Sequence, residues 1–167
     1  MLFRSLLTDA GFHRFANGLT ITNGAALRGV GTVIGATTVH GELAPGFSAG
    51  TLIFSNDLTL AGTTTLELFA NTSNDLVRVL GTLTYGGTLT VTNATGFSLA
   101  PGDTFDLFDF TGSPGGFVAT NLPALSGGWT WDTSQLGTTG IIAVIPEPGT
   151  FWLVALALAF AAARRRR

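Results

Sequence analysis

The stretches Gly81-Thr82-Leu83-Thr84-Tyr85 and Thr88-Leu89-Thr90-Val91-Thr92 decide the fold class of this chain. In both stretches apolar side chains alternate with threonine, and a period of two places them on opposite faces of a β-strand. Such a strand packs its apolar face on a core and turns threonine to solvent. The same pattern elsewhere predicts a set of inward-facing side chains: Leu58 and Leu60, Leu66 and Leu68, Val77 and Val79, Leu83 and Tyr85, Leu89 and Val91, Phe105 and Leu107. No helical period precedes residue 151, so we expect an all-β domain.

Short motifs recur along the same region. Asn56-Asp57-Leu58 returns 18 residues later as Asn74-Asp75-Leu76, and Gly-Thr-Leu begins at Gly50, Gly81 and Gly87. Glycine and Asn-Asp at such places are typical of the tight or left-handed turns between short strands. Repeats of about 20 residues predict stacked coils, in which each coil buries its apolar face only against its neighbours.

The composition excludes several classes of function. Charged residues are 11% of the 167 residues, against about 25% in ordinary soluble domains. Before the terminal arginines there are four arginines, no lysine and nine acidic residues up to Asp132, a net charge of −5. Nucleic-acid binding needs a basic patch, which this balance does not supply. Cysteine is absent, so disulfides and thiolate metal sites are excluded, and we expect no cofactor and no metal.

The chain ends in an ordered set of segments. Pro146-Glu147-Pro148 is followed by Gly149-Thr150, an uncharged apolar run over residues 151–163, and four arginines. Because proline lacks an N–H and disfavours helix before it, the triplet predicts an extended, unpaired strip that a protease cleft can hold. As a helix the apolar run spans about 20 Å, less than the hydrocarbon core of about 30 Å, which predicts a weak, short transmembrane helix. Its membrane residues are Phe151, Trp152, Leu153, Val154, Leu156, Leu158 and Phe160, and the cytoplasmic charge is Arg164, Arg165, Arg166 and Arg167.

This ordered ending resembles the PEP-CTERM sorting signal. The resemblance implies recognition by exosortase, a membrane-embedded protease-transpeptidase of Gram-negative bacteria that make extracellular polysaccharide. It covers only residues 146–167. Without it, the apolar run and the arginines also fit an ordinary tail anchor or a buried helix with a basic end.

A second resemblance covers residues 41–110. Gly41-Glu42-Leu43-Ala44-Pro45-Gly46, Asp75-Leu76-Val77 and Pro101-Gly102-Asp103-Thr104-Phe105 are similar to the repeat regions of autotransporter-like surface proteins. The resemblance implies a right-handed parallel β-helix, whereas the strand lengths alone also permit an antiparallel β-sandwich. In the β-helix, residues 112–131 would be a looser, capping region, with Trp129 and Trp131 on one face of a strand.

The predicted organisation has three parts. Residues 1–16 are an irregular start, residues 17–145 form the Gly/Thr-rich β-solenoid domain, and residues 146–167 are the sorting segment. An exported chain needs a signal peptide, but Asp9 interrupts the apolar residues near the start and His13-Arg14 follows soon after. We therefore expect a fragment, or a gene start that is placed too late.

Few residues suggest chemistry. Asp103, Asp106 and Asp109 are spaced for a calcium site only if a turn brings them together, and solvated carboxylates are the favoured interpretation. The other candidates are weak. They are His13 and His40, which have no second ligand nearby in the sequence and of which His40 is expected to be exposed, the Gly-x-Ser-x-Gly elbow at residues 46–50, and the scattered charges Glu67, Asp75 and Arg78.

The sequence therefore predicts a non-enzymatic exported protein of the cell surface or of a biofilm matrix. Its expected partners are exosortase, the membrane and extracellular polysaccharide. Two alternatives remain: a carbohydrate-active β-helix enzyme, and a binding module that stays anchored in the membrane.

Overall fold

The computed structural model describes residues 4–7, 11–46, 49–112 and 114–147, and of residues 4–7 only the backbone. Within these ranges every regular element is a β-strand and no helix occurs. The strands are β1 (Arg4–Leu7), β2 (Phe12–Arg14), β3 (Leu19–Ile21), β4 (Ala26–Gly29), β5 (Gly31–Ile34), β6 (Thr37–Val39), β7 (Glu42–Pro45), β8 (Thr51–Phe54), β9 (Leu58–Leu60), β10 (Thr63–Ala70), β11 (Ser73–Asn74), β12 (Leu76–Thr84), β13 (Thr88–Asn93), β14 (Thr104–Asp106), β15 (Phe108–Thr111), β16 (Ala119–Asn121), β17 (Trp129–Asp132) and β18 (Ile141–Pro146).

Most strands pair in parallel with the strand one pass further along the chain. One sheet has the order β1-β4-β7-β10-β13-β16, and its partners lie in register, for example Thr65 beside Thr90. A second sheet runs β2-β5-β8-β12-β9-β6-β3, with β15 also on β12. The first part of β12 pairs with β8 and its last part with β9, so this long strand carries the sheet round a corner.

The all-β class and the parallel pairing are therefore confirmed as a curled parallel sheet. The antiparallel sandwich does not fit these ladders. β1 and β2 lie in the stretch predicted to be an irregular start, yet they pair in parallel with β4 and β5 and belong to the same two sheets.

The core lies inside the curl and consists of the residues that the alternation selects. All twelve predicted inward side chains are buried, from Leu58 to Leu107, and none exceeds 6% exposure. Leu27, Val33, Leu43, Leu52 and Phe54 extend the same core toward earlier passes. Each buried side chain of this size stabilises the fold by about 1.5–3 kcal/mol relative to exposure.

Glycines stack at one corner of the curl. A Cβ on Gly62 would overlap the carbonyl oxygen of Gly41, and one on Gly87 would overlap that of Gly62. Those carbonyls accept hydrogen bonds from Thr63 N and Thr88 N in the next pass, at 2.9 Å each. The backbones approach so closely here that only glycine fits.

The repeated Asn-Asp pairs act differently from the prediction. None of their four residues has a positive φ, so they do not form left-handed turns. Instead, Asn56 Oδ1 accepts from Gly35 N at 2.9 Å and Asp57 Oδ1 accepts from Thr82 N at 2.8 Å, 25 residues away. Asp75 Oδ1 accepts from Gly50 N at 2.8 Å, also 25 residues away. The repeat thus supplies side-chain hydrogen bonds between neighbouring passes.

The chain after residue 100 adds a small antiparallel sheet with the order β14-β18-β17. The expectation that residues 101–105 continue the parallel repeat is wrong for β14, although β15 does return to β12. Ile142 and Val144 of β18 are buried beside Phe105, whose ring centroid lies 6.2 Å from that of Trp131. The region predicted to be loose contains β16 and β17, and Trp129 and Trp131 stand two residues apart in β17.

Candidate functional site

The described part of the sorting segment starts inside β18. This strand is central in the antiparallel sheet, between β14 and β17. Its Ile142 and Val144 are buried, while Ile141, Ala143 and Ile145 are half-buried. Pro146 is its last residue and lies opposite Trp129 of β17. Glu147 N then donates a hydrogen bond to Gly128 O at 3.0 Å. Proline fits at this end of the strand because it lacks the N–H that an interior position would use.

The prediction of an unpaired strip is therefore wrong for Pro146 and Glu147. Both are extended, as expected, but the sheet holds them because the strand signal of residues 141–145 continues through the proline. The Glu147 side chain is exposed, so its carboxylate faces solvent. Pro148, the membrane residues 151–163 and Arg164 to Arg167 lie outside the described residues. The described ranges contain no helix that could span a bilayer.

The three spaced aspartates do not converge on one site. Asp103 is buried, and its Oδ2 accepts from Ala100 N at 2.8 Å, which closes the Pro101-Gly102 turn. Asp109 pairs with Arg78, with Nε and Oδ2 3.0 Å apart, on the exposed face of the β12–β15 ladder. In the described ranges, no three His, Cys, Asp or Glu side chains come close enough together to hold a metal ion.

Asp106 is the electrostatically strained member of this group. Partial burial, with a further contribution from the neighbouring Asp109 carboxylate, raises the pKa of Asp106 above its usual value. Its backbone oxygen accepts from Asn74 Nδ2 at 2.7 Å, which ties β14 to the second Asn-Asp pair.

Glu67, Asp75 and Arg78 are brought together only in part. Asp75 Oδ2 accepts from the backbone N of Glu67 at 3.0 Å, whereas Arg78 turns to Asp109 on another ladder. Burial raises the pKa of the Asp75 carboxyl, its hydrogen bonds from Gly50 and Glu67 oppose this, and the Glu67 carboxylate adds to it. Backbone amides therefore donate to both oxygens of Asp75, which links the residue before β12 to β10 and to the residue before β8.

A polar cleft with a volume of about 330 Å³ opens beside these residues. Its lining includes Arg28, Thr65, Glu67, Asp75 and Thr92. Arg28 forms an ion pair with Glu42, whose other oxygen accepts from Thr65 Oγ1 at 3.2 Å. Two of the charged groups that line the cleft are therefore engaged, Arg28 by Glu42 and Asp75 by backbone amides.

The remaining candidates stay apart. His40 is exposed, as expected, and His13 is half-buried in β2. In the Gly-x-Ser-x-Gly match, Phe47 and Ser48 lie outside the described residues, and strand β8 follows the motif where an esterase elbow would have a helix.

One polar residue that the sequence analysis did not select occupies an inward position. Asn93 is the third inward residue of β13 after Leu89 and Val91, in register with the buried Leu68. Its Oδ1 is shielded from solvent and accepts no hydrogen bond. The sequence did carry a signal for Asn93, because a polar residue stands there at a position where the alternation predicts an apolar one.

Comparison with known proteins gives one match. The family model of the PEP-CTERM protein-sorting motif matches residues 144–167. The match does not extend to the repeats. No curated protein and no solved structure matches the chain. The chain thus carries a PEP-CTERM signal, which indicates an exported protein that is recognised and processed by the membrane enzyme exosortase.

Proposed function

We propose that this protein is a non-enzymatic component of a cell-surface or extracellular-matrix layer, built on a right-handed parallel β-helix of the autotransporter-like kind. Its C-terminal segment holds it in the inner membrane until exosortase removes that segment. The observation that carries the proposal is the sorting motif at residues 144–167, joined to a body of parallel strands.

The pairing supports the β-helix. Successive passes add one strand to each ladder, and stacked glycines mark the same corner of three passes, at Gly41, Gly62 and Gly87. About 98% of crossovers between parallel strands of one sheet are right-handed, which favours that hand here. Repetitive stacks of this type give long, stiff bodies suited to a surface layer.

The distribution of charge supports a structural role. The ion pairs Arg28–Glu42 and Arg78–Asp109 lie on the faces of the ladders, and both Asp75 oxygens accept backbone hydrogen bonds. A glycosidase needs two carboxyl groups that flank a substrate, about 5–10 Å apart and free to exchange protons. In the cleft, backbone amides already engage both oxygens of Asp75, so Asp75 is not free to act in such a pair with Glu67, which favours a binding or structural body over an enzyme.

The sorting segment divides its work among three groups of residues. Pro146, Glu147 and Pro148 serve recognition, residues 151–163 insert into the bilayer, and Arg164 to Arg167 fix the orientation. Glu147 has an exposed carboxylate that can pair with a basic group of the processing enzyme.

The test replaces Pro146, Glu147 and Pro148 with alanine together. Alanine keeps the extended backbone of β18 and the Glu147 N–H bond, so the body should still fold. We expect the uncleaved form to remain in the inner membrane. A matched control replaces Thr133, Ser134 and Gln135, three exposed residues beside the same sheet, and should be processed normally.

Mass spectrometry of the mature C-terminus completes the test. Loss of the arginines from native protein agrees with exosortase processing. A triple-alanine variant that reaches the surface at normal size would refute the sorting role. Native protein that keeps Arg167 while embedded in lipid would instead show a permanent anchor.

A further inference from the structure

We infer that the pocket between the end of β13 and the start of β17 binds a single neutral sugar unit. The pocket has a volume of about 210 Å³ and is lined by Asn93, Phe97, Ser98, Leu99, Ser126 and Trp129, among others. It shares no lining residue with the polar cleft, and its Trp129 is the residue that lies opposite Pro146 in the β17–β18 pair. This pocket gives the proposed surface protein a class of ligand. The inference rests on the proposed function only in that a surface or matrix location would supply the sugar.

The first argument is the side-chain oxygen of Asn93, which is shielded from solvent and accepts no hydrogen bond. A buried polar atom without a hydrogen bond destabilises the fold, so native proteins rarely retain one. The inward position of Asn93 would accept leucine or valine, as positions 89 and 91 do. The terminal torsion of asparagine is broad, so rotation about it can turn Oδ1 toward the pocket that Asn93 lines. A ligand hydroxyl there would satisfy it.

The second argument is the combination of groups around Asn93. Ser98 and Ser126 are exposed and offer hydroxyls, while the half-buried indole of Trp129 offers a flat apolar face with one N–H. Gly127 lies against that indole, since a Cβ there would come within 3.1 Å of Trp129 Cε2. A sugar ring has both an apolar face of C–H groups and a rim of hydroxyls, and so matches this set.

The third argument is charge and size. No described residue that lines the pocket is charged, so nothing there compensates a phosphate, a uronic acid or an amine. The volume equals about seven water molecules at roughly 30 Å³ each, which suits one ring. We therefore expect a terminal or branching neutral residue of a polysaccharide, rather than a stretch of an acidic chain.

The test uses the purified full-length chain in detergent micelles and a panel of free sugars: glucose, galactose, mannose, N-acetylglucosamine and glucuronic acid. Binding is followed by saturation-transfer NMR and by calorimetric titration. We expect at least one neutral sugar to bind and glucuronic acid to bind more weakly. If none of the neutral sugars binds, the inference is wrong, including the case in which the protein's own chain or a second copy fills the pocket.

Three variants separate binding from folding. Asn93→Leu restores the apolar pattern, so we expect a higher thermal midpoint together with about a tenfold or greater loss of sugar affinity. Trp129→Ala should lose a similar factor, whereas Trp131→Phe, which changes the neighbouring tryptophan against Phe105, should bind like wild type. Unchanged affinity in Asn93→Leu would overturn the assignment. Sorting is measured separately from the mature C-terminus, so failure of one proposal leaves the other readable.

Discussion

Replacing Asp75 with alanine tests whether side-chain hydrogen bonds between passes hold the curled sheet together. Asp75 is 3% exposed, and its two oxygens accept from Gly50 N at 2.8 Å and from Glu67 N at 3.0 Å. The Gly50 amide is buried and the Glu67 amide is half-buried, so leaving them unpaired costs at most about 1–3 kcal/mol each. Removal of a buried carboxylate offsets part of this. We therefore expect a net loss of about 2–4 kcal/mol.

The assay is urea and thermal denaturation, followed by tryptophan fluorescence and circular dichroism. For a chain of this length the loss corresponds to a fall in Tm of about 4–16 °C. The control is Asp57→Ala, which removes the equivalent aspartate of the first Asn-Asp pair, where the bond to Thr82 N at 2.8 Å is exposed. Water can replace that acceptor, so its loss should stay at or below about 1 kcal/mol.

The pH dependence gives an independent check. Burial raises the pKa of Asp75, so the folded chain binds this proton more tightly than the unfolded chain does. The stabilisation that this proton gives the folded state is complete below the unfolded pKa of about 4 and is lost as the pH rises through the folded pKa. The stability difference between wild type and Asp75→Ala should therefore grow on acidification. Equal losses in the Asp57 and Asp75 variants would refute the explanation by buried amides.

Two further predictions concern the electrostatics and the packing of the sheets. Asp106→Asn should raise the urea midpoint at pH 7 and leave it unchanged near pH 3. Burial and the Asp109 carboxylate raise the pKa of Asp106, so its charged form is disfavoured in the folded state. A lower midpoint at pH 7 would contradict this. Gly62→Ala should destabilise the protein by at least about 1–3 kcal/mol, since the new Cβ overlaps Gly41 O. The control in the same denaturation experiments is Gly116→Ala, whose Cβ meets nothing within 4 Å. Equal effects of the two alanines would show that the glycine corner is not tightly packed.

Alternation of apolar residues predicted the core because it depends only on which side chains face inward. Every inward residue selected between Leu58 and Leu107 is buried, including Tyr85, whose ring stacks on Phe117 with centroids 4.3 Å apart. Strand direction is not encoded in that pattern, so the antiparallel arrangement of β14, β17 and β18 was missed.

The site was harder to predict because its contacts are set by the fold. The proline signal in Pro146-Glu147-Pro148 indicated a free strip, but the apolar alternation of Ile142 and Val144 extends pairing as far as Pro146. Likewise, the Asn-Asp repeat indicated turns, since nothing local shows that a partner amide such as Thr82 N stands in the next pass. The unpaired Oδ1 of Asn93 becomes evident only when its strand is placed against Leu68.

Because Glu147 N donates a hydrogen bond to Gly128 O, only three residues separate the folded sheet from the apolar segment that begins at Phe151. A fully stretched chain covers at most about 14 Å between the Cα atoms of Glu147 and Phe151. A peptidase that takes Pro146 and Glu147 into its cleft would first have to peel the tip of β18 away from Trp129. The rate of cleavage would then depend on how often the end of β18 opens. A protein with a more stable β17–β18 pairing would be released from the membrane more slowly.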